Sequence, residues 1–347
     1  MASSWYLRLA LWALLAAGII RAQPYKAEAI AEANRGLSQA KQQHYLSAID
    51  AYRRALAIEP ALPGLQLNLG LAYFKSGQFR EAIGALSRAD PSTQVSTLLA
   101  MSYVGLGENK EAAGRLKPLA AGQPGNTELS YLLAQCYLRS GQYKEAMDVF
   151  QGLLRHEPNS PAVHMLLGEA MDAEARTNEA ILEFEAAAKL ASSLPDVHFG
   201  LGYLYWKKQR YEDAGREFLQ ELKNDPKYPK ALAYLGDVQM KTNHAADAQR
   251  SLMKALEIDK NLRIAHFDLG LLYAQAGHPE SALNEFREAI RIDPSAYSAH
   301  YRLARLYQSM GRTEDAKAEF ETVQRLHEKK EEEPLIKIGG SSDSSKQ

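Results

Sequence analysis

The stretch LGLLYAQAGHPESALNEF (residues 269–286) decides the fold, because LARLYQSMGRTEDAKAEF (residues 303–320) repeats its pattern 34 residues later. Each begins with a leucine and a small residue (Gly270, Ala304) and places a tyrosine three positions on (Tyr273, Tyr307). Each ends on an alanine followed, four residues later, by a phenylalanine (Ala282 and Phe286; Ala316 and Phe320). Carried outward, the alanine becomes a column: Ala48, Ala82, Ala112, Ala146, Ala180, Ala214, Ala248, Ala282 and Ala316. Seven of its eight intervals are 34 residues, and one, Ala82 to Ala112, is 30. A fixed period over such a length is the signature of stacked like units.

Other positions keep the same register. Twelve residues before each column alanine stands Gly36, Gly70, Ala100, Ala134, Gly168, Gly202, Gly236, Gly270 or Ala304. Four residues after it stands Tyr52, Leu86, Leu116, Phe150, Phe184, Phe218, Leu252, Phe286 or Phe320. Apolar residues at i, i+3, i+4 and i+7 predict two amphipathic helices per unit. Turns such as Ser76-Gly77-Gln78 and Ser140-Gly141-Gln142 separate them, since glycine accepts the positive φ of a helix C-terminus. Small residues on both helices predict close backbone approach, with the tyrosines and phenylalanines filling the space beside them. Pro60, Pro124, Pro158, Pro226 and Pro294 end the second helix of five units. One hairpin cannot bury its apolar face alone, so the units must stack.

Over residues 29–325 this spacing resembles the tetratricopeptide repeat family. The resemblance implies an all-α fold, a right-handed superhelical solenoid of nine helix-turn-helix repeats whose first helices (A) line a concave groove. Family members mostly bind peptides or protein partners. The groove wall is formed largely by the second, fifth, ninth and twelfth positions of helix A. Carried over residue by residue, it comprises Leu67, Leu71 and Phe74 in the second repeat, Tyr131 and Leu138 in the fourth, and Met165, Glu169 and Asp172 in the fifth. The sixth repeat supplies Phe199, Tyr203 and Trp206, the eighth Ile264, Phe267 and Leu271, and the ninth Tyr301 and Arg305. Helix stacking draws on the same apolar faces, so each is a candidate for either role. Trp206, beside Lys207 and Lys208, is the first candidate for a partner anchor.

Two departures from the family stand out. The large aromatic of the fourth repeat position is replaced by Glu32, Gln66, Ser96, Ser130, His164, His198, Leu232, His266 and His300. The 30-residue interval, with Ala89-Asp90-Pro91 inside it, predicts that helix B of the second repeat ends early and leaves a local irregularity. Two specialised family modes find little support. Asn68 and Lys75 stand without the rest of a chaperone-tail clamp, and the sixth position, which carries an asparagine ladder in O-GlcNAc transferases, has asparagine only at Asn34 and Asn68.

The ends differ from the array. Arg8 precedes an apolar run over residues 9–20, followed by Arg21 and Ala22, which resembles an export signal cleaved after Ala22. At 12 residues the run is short of the roughly 17 to 25 a spanning helix needs; an uncleaved N-terminal anchor is the alternative, and the bulky Ile20 at the −3 position leaves room for it. Residues 23–28 form a lead-in. Past residue 325 the second helix is expected to run through the charges of 328–333 and stop near Pro334. Residues 334–338 offer an apolar segment, and 339–347 read as a disordered tail of glycine, serine and charge.

Chemistry is hard to place on this chain. Without the signal it carries 39 basic and 42 acidic residues, a balance with no electrostatic footprint for nucleic acid. Cys136 is the single cysteine, so no internal disulfide forms; it falls in helix A of the fourth repeat, where a small core thiol is expected. Four of nine histidines (His164, His198, His266 and His300) share one repeat position, and helices packed about 8–10 Å apart do not bring such positions within the roughly 2 Å of a Zn–N bond. No nucleophile elbow or phosphate-binding glycine loop occurs. These readings lead to a non-catalytic scaffold or adaptor without metal or cofactor, exported to the periplasm or secreted, that binds a protein or peptide in its groove. The alternatives are an accessory subunit that positions substrate for a separate envelope transferase or hydrolase, and self-association through the ends of the array.

Overall fold

The computed structural model describes residues 25–332, with side chains to residue 328. The expected signal (1–22) and the segments 334–338 and 339–347 lie outside the described residues. Within them the secondary structure is α-helix throughout, joined by short turns. The first eight helices are α1 (Ala27–Lys41), α2 (Tyr45–Ile58), α3 (Leu65–Lys75), α4 (Phe79–Leu86), α5 (Thr93–Gly105), α6 (Asn109–Gly122), α7 (Thr127–Arg139) and α8 (Tyr143–His156). Then come α9 (Pro161–Ala173), α10 (Thr177–Leu190), α11 (Val197–Lys207), α12 (Tyr211–Asn224) and α13 (Pro229–Lys241). The last are α14 (Ala245–Ile258), α15 (Arg263–Gln275), α16 (Pro279–Ile292), α17 (Tyr297–Ser309) and α18 (Thr313–Glu332). Odd-numbered helices are the A helices and even-numbered ones the B helices. The described residues divide into two compact units, with the boundary between Val149 and Phe150 inside α8.

The periodic small residues explain how each hairpin closes. Eight of the nine column alanines are 0% exposed and Ala316 is 4% exposed, so there is no room at the helix contact for a larger side chain. The second small residue, on helix A, lies under the large residue of its own helix B. A Cβ added to Gly270 would fall 2.7 Å from the Phe286 ring, and one added to Gly236 would fall 2.6 Å from Leu252 Cγ. Tyr52, Phe218 and Phe286 are accordingly among the largest fully buried side chains. The ring fills the volume that the missing side chain leaves, which is how near-crystalline packing density is reached between two helices.

The turns share one backbone solution. Gly77 (φ 77°) and Gly141 (φ 75°) both adopt the left-handed region. At Gly77 the Gln78 N–H donates to the Tyr73 carbonyl and the Gly77 N–H to the Phe74 carbonyl, the two reverse bonds that satisfy a helix C-terminus. The same position is filled by Gln43, Ala175, Gln209 and Asn243 in other repeats, each also at positive φ. The helices α2, α6, α8, α12 and α16 each end two residues before their proline. The second B helix, α4, has 8 residues, whereas α2, α6 and α10 have 14. The last helix continues to Glu332.

Candidate functional site

Within residues 150–347 the A helices α11, α13 and α15 pack in succession, and α11 and α13 build a dense aromatic group. Phe199, Tyr203 and Trp206 project from α11 and meet Tyr234 of α13, with ring centroids at 5.7, 5.6 and 5.3 Å. Tyr203 stacks on Trp206 at 5.8 Å, and Phe199 also touches Tyr228 at 5.2 Å. Beneath them, Phe218 of α12 approaches Phe199 at 5.9 Å and Tyr234 at 5.8 Å. The three edge-to-face contacts that Phe199, Tyr203 and Trp206 make with Tyr234 add about 0.5–1.5 kcal/mol each beyond the area they bury. The three predicted α11 residues are half-buried, so the cluster serves helix stacking and is still partly open to solvent.

The polar groups of this cluster are unusual. The Trp206 indole N–H donates to Asp237 Oδ2 at 2.5 Å, which ties the expected anchor to the next A helix. Asp237 and Asp268 are 6% and 2% exposed, and Asp268 Oδ2 finds no hydrogen-bond partner among the described residues. Burial, reinforced by the charge of Asp237, holds the Asp268 carboxyl well above the usual carboxylate range, and Lys241 and Arg263 only partly oppose it. Burial also pushes the Tyr234 hydroxyl up to about 12. Asp172, expected in the groove wall of the fifth repeat, accepts from Lys207 Nζ and Thr177 Oγ1, both at 2.8 Å.

The remaining predicted wall residues are not gathered into this group. Leu67, Leu71 and Phe74 of α3 are half-buried against a core of Ala82, Leu86, Val95, Leu98 and Leu99. Tyr131 of α7 and Met165 of α9 are half-buried. Phe267 packs on Phe286 with centroids 6.0 Å apart. Tyr301 is 39% exposed and lies 6.1 Å from Phe320, and Arg305 is exposed. Tyr228, Tyr234, Asp237 and Asp268 are the cluster members that sequence reasoning did not select. Tyr234 and Asp268 occupy the sixth repeat position, considered there only for its lack of asparagine.

The histidines at the fourth repeat position share one clamp. His164, His198, His266 and His300 each place Nδ1 2.6 Å from a glutamate 19 residues downstream: Glu183, Glu217, Glu285 and Glu319. In three of them Nε2 meets the carbonyl of the residue six positions earlier: Pro158 at 3.0 Å, Lys260 at 3.0 Å and Pro294 at 3.1 Å. His198 differs, because its Nε2 lies 2.9 Å from the Ser192 hydroxyl. Among the described residues no group of three or more His, Cys, Asp or Glu side chains is placed to hold a metal ion. Cys136 is 2% exposed, and burial pushes its thiol up to about 11 although Arg139 acts in the opposite sense. No helix of the described residues is long and apolar enough to cross a membrane.

Comparison with known proteins agrees with this architecture. One tetratricopeptide repeat profile matches residues 103–170 and 273–332, and another matches 165–229 and 234–297. A TPR repeat profile matches residues 36–77. No curated protein matches the chain. Among solved structures the chain is similar to a chain of the APC/C hetero-tetramer Cut9–Hcn1, at 17% identity and a TM-score of 0.55, over 76% of this chain and 52% of that one, about half its length. It is similar to Pseudomonas aeruginosa PilF at 19% identity and a TM-score of 0.52, over 61% of this chain and 100% of that one. The C-terminal part of a TPR repeat-containing protein from Cytophaga hutchinsonii matches at 15% identity and a TM-score of 0.52, over 67% and 98%. Identities this low speak to fold alone. The profiles leave out 78–102, the stretch that holds the short α4, and the four residues 230–233, and the rest of 36–332 matches without a break; the chain belongs to the tetratricopeptide repeat family.

Proposed function

We propose that this chain is an exported adaptor that binds a peptide segment of a protein partner along the A-helix face of α11, α13 and α15. Tetratricopeptide repeat proteins bind protein or peptide partners as a class, and the observation that favours this face is its aromatic group around Tyr234. Half-buried tyrosine and tryptophan offer large contact area with little rotamer freedom to lose, which is the usual chemistry of binding hot spots. The sequence preceding the array supports export, with processing after Ala22.

The test is capture of partners from an envelope fraction by the wild-type chain and by a Phe199→Ala/Trp206→Ala variant. Since both residues also pack, a Tyr203→Ala variant and circular dichroism of each protein accompany the experiment. Loss of the same captured species in the double and single variants, with helicity retained, is the expected result. Unchanged capture by all three proteins removes this face as the contact surface. N-terminal sequencing of the protein recovered outside the cytoplasm should begin at Gln23.

A further inference from the structure

Three of the four histidine clamps present an acceptor to each ring nitrogen, a carboxylate on one side and a backbone carbonyl on the other. His198 alone faces a group that can donate. Its Nε2 is 2.9 Å from Ser192 Oγ while its Nδ1 is 2.6 Å from Glu217 Oε2. A neutral imidazole with its proton on Nδ1 satisfies both bonds: it donates to Glu217 and accepts from the serine hydroxyl. That is the relation of a nucleophile, its base and the carboxylate that orients the base, which is recognised by geometry on any fold.

The difference has a local cause. The carbonyl of Ser192, which would correspond to the acceptors in the other three clamps, is taken instead by Asn224 Nδ2 at 2.8 Å. The loop before α11 is held in that path from several sides. Glu221, 2% exposed, accepts from the Asp196 and Phe199 N–H groups at 3.3 and 3.0 Å. Tyr228 donates to Asp196 Oδ1 at 2.5 Å, and Asp196 itself takes a left-handed φ of 66°. Ser192 is exposed, His198 is 7% exposed, and both line an open depression of about 860 Å³ walled by α12.

We propose that Ser192, His198 and Glu217 form a nucleophilic site that takes the acyl group of a short ester bearing an anionic end. Ser192 Oγ bonds to the acyl carbon while its proton passes to His198 Nε2. The alcohol leaves with that proton, and water then attacks the acyl-serine through the same base, releasing the carboxylic acid and restoring the hydroxyl. Glu217 positions the imidazole without touching substrate. Lys223 lines the depression and matches an anionic end, Arg216 lines it while paired with Asp213, and Leu219 supplies the apolar wall for a short chain.

The test uses the whole chain with a biotinylated fluorophosphonate, in which Oγ replaces fluoride on phosphorus, and with 4-nitrophenyl esters. Labelling at Ser192, located by mass spectrometry, is expected in the wild type and absent in Ser192→Ala, an exposed change that leaves the fold intact. His198→Gln should slow labelling by about 100-fold or more, the typical worth of a positioned base. His266→Gln removes the equivalent clamp two repeats away and should label at the wild-type rate. Glu217→Gln should lower kcat for ester hydrolysis and leave KM unchanged. Mono-4-nitrophenyl succinate should turn over faster than 4-nitrophenyl acetate; equal rates remove the anionic assignment. Wild-type labelling no faster than that of Ser192→Ala, or equal slowing in the His198 and His266 variants, overturns the proposal.

Discussion

At the scale of single residues, two ionisable groups, one half-buried and one buried, make the stability of the array depend on pH. Burial alone would lower the His266 imidazole, but the Glu285 hydrogen bond, the Lys260 carbonyl and the charges of Glu285 and Glu288 outweigh it and raise it above the ordinary 6.5. A value raised by folding stabilises fully below the unfolded value, and that contribution is lost as pH rises through the folded one. The His266→Gln protein should therefore lose more thermal stability, relative to wild type, at pH 5.5 than at pH 8.5, as read from paired melting curves. Asp268 is also raised but has no hydrogen bond on Oδ2, so its cost grows as pH climbs from the usual carboxylate range to its raised value. Asp268→Asn should melt higher than wild type at pH 8, by on the order of 1–3 kcal/mol, with the advantage shrinking toward pH 4. The sequence accounted for the shared position of the histidines by register. It did not show their glutamates, because a pair 19 residues apart meets only once a helix has folded back on its neighbour.

At the scale of helices and turns, the periodic residues carry most of the information. Ala214 is 0% exposed at the contact of α11 and α12, so Ala214→Leu should destabilise by about 1–3 kcal/mol through overpacking, measured by urea unfolding. Ala175 holds the turn between α9 and α10 at φ 61°, a conformation that disfavours any side chain by roughly 1–2 kcal/mol. Ala175→Gly should recover about 1 kcal/mol, although the greater freedom of glycine in the unfolded chain offsets part of the gain. The short α4 was legible from one irregular interval and from Pro91, since a break in period leaves a mark in one dimension. The left-handed turns at Gln43, Ala175, Gln209 and Asn243 were hidden, because no glycine announces them.

At the scale of the whole molecule, packing within each unit runs mainly between helices adjacent in sequence, and the A helices α1 and α3, α3 and α5, α11 and α13, and α13 and α15 also touch. A solenoid of this kind has stability that is nearly a sum over neighbouring repeats. Phe286→Ala, which empties a site 1% exposed, should cost about 3–5 kcal/mol and raise amide hydrogen exchange in α15 to α18 while leaving α1 to α4 unchanged. A uniform rise along the chain would mean that the repeats unfold as one body. The sequence by itself determined the hairpin register, the buried alanine column, the proline-terminated helices and the family, because each of these repeats along the chain at a fixed interval. Only the tertiary structure decided that Phe199, Tyr203 and Trp206 converge on Tyr234, that Trp206 is tied to Asp237, and that Ser192 rather than a carbonyl meets His198. Those meetings depend on how one helix docks on the next and on which way a six-residue loop turns, and neither is periodic.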